Sequence, residues 1–161
     1  MKGTYCLIIS MKKSDNIKIG SIYQTAYKFK KGYYVYIGSA MNSLIPRLSR
    51  HLSDEKKMHW HIDYLLKSQN SEIREILFTD SIKRIECDLA NSIAKEGLEI
   101  ERFGCSDCNC NSHLIYFERK RDALKSVKNA YDSIDIEYYD LKHFKKLIKN
   151  KKKIKKDKKR K

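Results

Sequence analysis

No apolar run in the 161 residues approaches the roughly 20 needed to cross a bilayer as a helix. The opening residues, MKGTYCLIIS, lack the apolar core and cleavage site of a secretory signal. These absences argue against a membrane or exported protein and make the cytoplasm the expected location. Cysteine is scarce and odd in number, at five, which without a secretory signal disfavours a disulfide framework and leaves reduced thiols or a metal. There are no internal repeats, so a solenoid is excluded. Proline occurs once, as Pro46, where the first turn of a helix tolerates it.

Acidic residues are nearly missing from the last twenty positions. Residues 142–161 carry thirteen Lys/Arg against the single acid Asp157, a net of +12 out of the chain's +15. The expected organisation is one compact domain over residues 1–130, a linker over 131–141 and a basic tail over 142–161. Such a tail buries too little apolar area to offset its ordering entropy, so disorder or a frayed helical extension is expected. It is either a solubilising appendage or an attractor of phosphates through counterion release, with Lys152, Lys153, Lys155 and Lys156 among the contacts. No amphipathic apolar face or lipidation motif accompanies these charges in the sequence, which favours nucleic acid over an anionic membrane.

GTYCLIISM, KIGSIY and AYKFKKGYYVYIGSA carry the β-branched and aromatic content of strands, separated by Gly and polar turn residues, and predict a three-stranded antiparallel opening. In KGYYVYIGSA, alternation places Tyr34, Tyr36 and Gly38 on one face and Tyr33, Val35 and Ile37 on the other. The first face offers hydroxyls beside a residue with no side chain, where another backbone or a ligand can approach.

Asn42 or Ser43 can cap a helix running through about residue 53. On a helical wheel Ile45, Leu48 and Leu52 group together, and Arg47, Arg50 and His51 share the opposite side as a basic face. A short helix is expected over 61–68, a strand over 72–79, and an amphipathic helix over 82–96 that stops at Gly97. In that helix Ile85, Leu89 and Ile93 form the apolar stripe and Glu86 lies at its edge. A carboxylate there is costly unless paired, so a base or a metal is expected beside it. A strand at HLIYF and a charged helix over 118–131 complete the pattern.

These residues include motifs in an order that resembles the GIY-YIG nuclease superfamily: GTY at 3–5, YIG at 36–38, the arginine of PRLSRH and the glutamate of IECDLA. The similarity is closer to its DUF123-type subgroup, marked by YVYIGSA, RLSRH, HWHIDYLL, IECDLA and FGCSDCNCNSHLIYF, and covers residues 3 to about 120. The resemblance implies an α/β (α+β) domain, a small mainly antiparallel sheet flanked by helices, with a strand pair inserted around residues 17–29. It implies a divalent-metal-dependent endonuclease acting on DNA, or RNA, in which Tyr5 and Tyr36 position or deprotonate the attacking water. Arg47 would stabilise the phosphorane-like transition state, and Glu86 would hold one Mg²⁺ or Mn²⁺.

On the same resemblance His51 is a further catalytic candidate, and Gly38, Arg50, His59 and His61 are candidate nucleic-acid contacts. Domains of this subgroup resemble units appended to DNA repair enzymes, so the alternative is a non-cleaving binding module that partners such an enzyme. For His59, His61 and Asp63, helix-start capping stands beside acid/base or metal-ligand roles, and for Trp60 a core anchor beside a base-stacking platform. Cys105, Cys108, Cys110 and His113 form a possible second, zinc site, with Cys87 in reserve. Against that site stands their crowding into one nine-residue loop, where structural zinc sites join two separated knuckles.

Overall fold

Nine successive buried residues form β1 (Gly3–Met11), and their lack of polar alternation has a topological cause. In a computed structural model that describes residues 1–20, 25–104 and 110–160, β1 lies inside a five-stranded sheet. It pairs antiparallel along its whole length with β4 (Gly32–Ala40) and, on its other edge, with β5 (Ser71–Phe78). The far edge of β4 pairs with β7 (Leu114–Phe117), which carries the two-residue β6 (Leu98–Glu99), giving the order β5-β1-β4-β7-β6.

Both faces are covered, so alternate residues of β1 enter two different cores. Tyr5, Leu7, Ile9 and Met11 pack with α1 (Leu44–Leu52), α2 (His61–Leu66) and the start of α5 (Leu141–Arg160). Cys6 and Ile8 pack on the opposite face with α3 (Glu86–Ala94) and α4 (Lys120–Ser133). Full burial of each large aliphatic or aromatic side chain contributes about 1.5–3 kcal/mol before entropy is counted. The mainly antiparallel, helix-flanked α+β architecture expected from the sequence is therefore present. Among the described residues no helix is long and apolar enough to cross a membrane.

Five local expectations are corrected. The opening is not a three-stranded sheet: β1 and β4 pair directly, and the inserted residues form their own two-stranded sheet, β2 (Asp15–Ile17) with β3 (Tyr27–Phe29). Phe29 of this insertion is fully buried in the core that also holds Tyr34. The strand expected over KIGSIY is absent from Lys18–Gly20, where Gly20 takes a positive φ of 46°; the rest of that segment falls at residues 21–23, outside the described residues. α1 is rotated relative to the predicted wheel, burying Leu44, Leu48 and His51 and leaving Leu52 exposed. α3 starts at Glu86 instead of residue 82.

The fifth correction concerns the segment after α4. Tyr139 exchanges two backbone hydrogen bonds with Phe78, of 2.9 and 2.7 Å, adding a one-residue bridge beyond β5. Tyr138 stacks on Tyr131 at 5.1 Å. The basic segment then forms α5, whose Phe144 is fully buried and whose Leu147 and Ile148 pack against the same core. An apolar face thus exists at the base of the tail helix, while Lys149 to Lys159 are all exposed.

Candidate functional site

β4 outruns its neighbour β7. Their ladder ends at Tyr36 opposite Leu114, and the Ile37 N–H donates to the His113 carbonyl at 3.0 Å. Beyond that point Gly38 and Ser39 help line a cleft of about 360 Å³. Three sources complete its wall: Arg47 from α1, His59, Trp60 and His61 from the start of α2, and Glu86 with His113 from the other layer. A larger cleft, about 670 Å³, lies elsewhere, between β7 and α4, and contains none of the candidate site residues.

Tyr5 and Tyr36 stand on neighbouring strands, on one face and two register steps apart, with ring centroids at 6.4 Å. Only Tyr36 lines the cleft. Tyr5 is 1% exposed and its hydroxyl is 2.8 Å from His51 Nε2. Directly opposite Tyr5 in the register is Gly38, and a Cβ on Gly38 would lie 2.6 Å from the Tyr5 ring. The partner that the missing side chain admits is thus a neighbouring phenol. Burial pushes both phenols above their usual value of 10; Arg47 opposes this at Tyr5, while Tyr5 and then Glu86 add to it at Tyr36. Both are neutral near pH 7.

His51, expected on the basic face with Arg47 and Arg50, turns inward instead. Burial, reinforced by the nearby Lys56 charge, pushes its pKa down to about 3, so it is a neutral imidazole. Its Nδ1 is buried without a hydrogen-bond partner among the described residues.

Arg47 and Arg50, one turn apart, both lie against the Trp60 ring, at 4.3 and 4.5 Å from its centroid. Their remaining contacts divide them. Arg47 donates to the Ser39 carbonyl at 2.9 Å and stays on the cleft wall. Arg50 makes a bidentate pair with the fully buried Asp63, at 2.9 and 2.8 Å. Asp63 also accepts the backbone N–H groups of His59 and Trp60, both at 2.9 Å. Burial acts to raise its pKa, but the Arg50 hydrogen bond and those two amides outweigh it and hold the carboxyl below its ordinary value. Arg50 and Asp63 therefore fix the His59–Trp60 turn that supplies the cleft's aromatic wall.

His61 Nδ1 accepts the Gly104 N–H at 3.1 Å, which places the ring proton on Nε2. Burial lowers its pKa. His59 is exposed at the rim with its ring against Trp60 at 4.8 Å. Lys152, Lys153, Lys155 and Lys156 lie on the exposed part of α5.

Glu86 is the first residue of α3, where the helix dipole favours a carboxylate. Its Oε2 accepts the Ser39 hydroxyl at 2.8 Å and its Oε1 lies 3.1 Å from His113 Nδ1. Burial would raise its pKa; the bonds from His113 and Ser39, with the His113 and Arg47 charges, bring it below its ordinary value. The partner expected for this carboxylate is thus a base, His113. Ser39 carried no assignment from the sequence. Strand parity was the available signal, since Ser39 falls on the α3 side of β4 with Val35 and Ile37, the side from which Glu86 arrives. Of the cysteine-loop candidates, Cys105 and Cys108 lie outside the described residues, whereas Cys110 and His113 come close to Cys87.

A small antiparallel α+β domain with an acid, a guanidinium, a phenol and imidazoles gathered at one end of its sheet is the class defined here. The chain matches the family described as "Domain of unknown function DUF123" over residues 4–136 and belongs to it. Comparison with curated proteins and with solved structures gave no match.

Proposed function

We propose that the cleft is the active site of a divalent-metal-dependent endonuclease that hydrolyses phosphodiester bonds in DNA, as the resemblance to the GIY-YIG superfamily implies. The observation that carries this is the convergence of Tyr36, Arg47 and Glu86, from β4, α1 and α3, on one cleft. The donor set fits the cation. Glu86 retains 29% of its side-chain exposure, and only two of the four or so acceptor positions of its carboxylate are used. The Ser39 hydroxyl stands beside it. Oxygen donors of this kind suit Mg²⁺ or Mn²⁺, which keep several waters of their own. Such a cation polarises a phosphoryl oxygen and stabilises the leaving oxygen.

The remaining work falls to the chain. Arg47, held against the Trp60 ring, keeps guanidinium N–H groups for the equatorial oxygens of a phosphate. Tyr36, neutral because burial raises its pKa, orients a water as a hydrogen-bond partner and is not itself a phenolate base. Tyr5 acts indirectly, packing beneath Tyr36 and engaging the neutral His51. The lysines of α5 attract the DNA backbone without reading its sequence.

A second reading, a nucleic-acid-binding module that does not cut, is favoured by one observation: Tyr5 is buried, 1% exposed, and its hydroxyl lies 2.8 Å from His51 Nε2. The test is cleavage of labelled single-stranded, duplex, flap and junction DNA with Mg²⁺, Mn²⁺ or EDTA. Metal-dependent nicking should fall by about 10²–10³ in Arg47→Ala, the loss typical of one removed transition-state donor, and vanish in Glu86→Ala. If nothing is cut while wild type and both variants bind DNA alike, the binding-module reading stands instead.

A further inference from the structure

We propose that Cys87, Cys110 and His113 hold a zinc ion, at a site separate from the cation proposed for Glu86 and independent of whether the cleft cuts DNA. One ligand atom from each of the three residues lies within 4.8 Å of the other two. Tetrahedral Zn–S and Zn–N bonds of about 2.3 and 2.0 Å require donor separations of about 3.5–3.8 Å, so the side chains need to close by at most about 1.3 Å. Rotation about χ angles supplies a shift of that size without moving backbone.

The place of these residues in the fold removes the objection to zinc that the sequence raised. Cys110 and His113 precede β7, but Cys87 comes from the first turn of α3, a separate element packed on the sheet. An ion there ties two segments of chain together, as structural zinc does.

The donor chemistry selects the metal. Two thiolates and an imidazole are soft and borderline ligands, which suit Zn²⁺ and reject the Mg²⁺ or Mn²⁺ that the oxygens of Glu86 and Ser39 favour. His113 is already oriented. Its backbone is fixed on both sides, by its N–H to the Phe103 carbonyl at 2.8 Å and its own carbonyl to Ile37. Its Nδ1 faces Glu86 Oε1 at 3.1 Å, the kind of carboxylate contact that orients a metal-ligating imidazole.

The full chain, purified without chelators, should contain about one zinc per molecule by elemental analysis, the occupancy of a single tetrahedral site. After exchange with Co²⁺ it should show a thiolate-to-cobalt charge-transfer band, and Cys87→Ser or Cys110→Ser should each remove about half of its intensity, one of two thiolates. A variant that fails to fold is covered by alkylation of the folded wild type read by mass spectrometry: Cys87 and Cys110 should be protected with Zn²⁺ bound and labelled after chelation. No thiolate–cobalt band, undiminished zinc in a folded Cys87→Ser variant, or equal labelling with and without zinc would each overturn the site.

Discussion

The two halves of α5 should separate under truncation. Cutting after Asn150 removes nine Lys/Arg and one acid, and residues 151–159 of the part removed are exposed helix. Cutting after Asp140 also removes Phe144, which is fully buried, and the partly buried Leu141, Leu147 and Ile148. Loss of a buried Phe side chain costs about 3–5 kcal/mol, a large part of the roughly 5–15 kcal/mol that stabilises a domain. At about 2–4 °C per kcal/mol for a chain of this size, the longer deletion should lower Tm by about 6–20 °C. The shorter one should leave Tm nearly unchanged.

DNA affinity should report the opposite half. If four of the nine removed bases touch phosphates, the slope of log affinity against log salt falls by about 3.6 in the shorter truncation. Thermal circular dichroism and fluorescence anisotropy of a labelled duplex over a salt series read the two effects. Equal Tm values for the two truncations would refute the docking of Phe144, and an unchanged salt slope after the shorter cut would refute phosphate contact by the tail. The expectation from the sequence of a disordered or frayed tail with no apolar face is revised on this ground for the first turns of α5, where Phe144 is buried.

His51 makes stability sensitive to acid. Its native pKa of about 3 lies below the unfolded value of 6.5, so the unfolded chain takes up the proton first and stability falls as pH drops from about 6.5 toward 3, at up to about 1.4 kcal/mol per pH unit. Urea titrations over this range should give a slope smaller by up to about one proton in His51→Gln; equal slopes would remove the assignment. Gly38→Ala should destabilise by about 1–3 kcal/mol, because its Cβ meets the Tyr5 ring between two paired strands. Combination with Tyr5→Ala should cost clearly less than the sum of the two single changes, and strict additivity would show that the clash is not with Tyr5.

Much of the fold was legible because strands and helices announce themselves locally. The largely apolar, strand-forming run of residues 3–11, the alternation through Tyr34, Tyr36 and Gly38, and Ser43 ahead of an amphipathic stretch each depend on neighbours within a few positions. The inserted strand pair was legible as an excess of chain between Tyr5 and Tyr36, but not its pairing, since whether β2 joins the main sheet depends on where Phe29 finds its pocket. The rotation of α1 was hidden for a similar reason. A wheel ranks faces by side-chain polarity and hides the histidine last, yet Tyr5 offers a hydroxyl beneath the helix, and burying a neutral imidazole against it exposes Leu52 instead. At α5 the excess of lysine masked an apolar seam whose partner, Phe78, is some sixty residues away.

Sequence alone determined most of the secondary elements, the segregation of positive charge into the last twenty residues, and the need of Glu86 for a partner. These follow from periodicity, composition and the cost of burying a charge, all of which act within a short span of chain. Tertiary structure alone decided who that partner is, which tyrosine meets the cleft, that Asp63 takes Arg50 out of the wall, and that Cys87 lies beside Cys110 and His113. Each of those pairings joins residues far apart in the chain, and only the strand register and the packing of helices on two opposite faces of one sheet bring them within bonding distance.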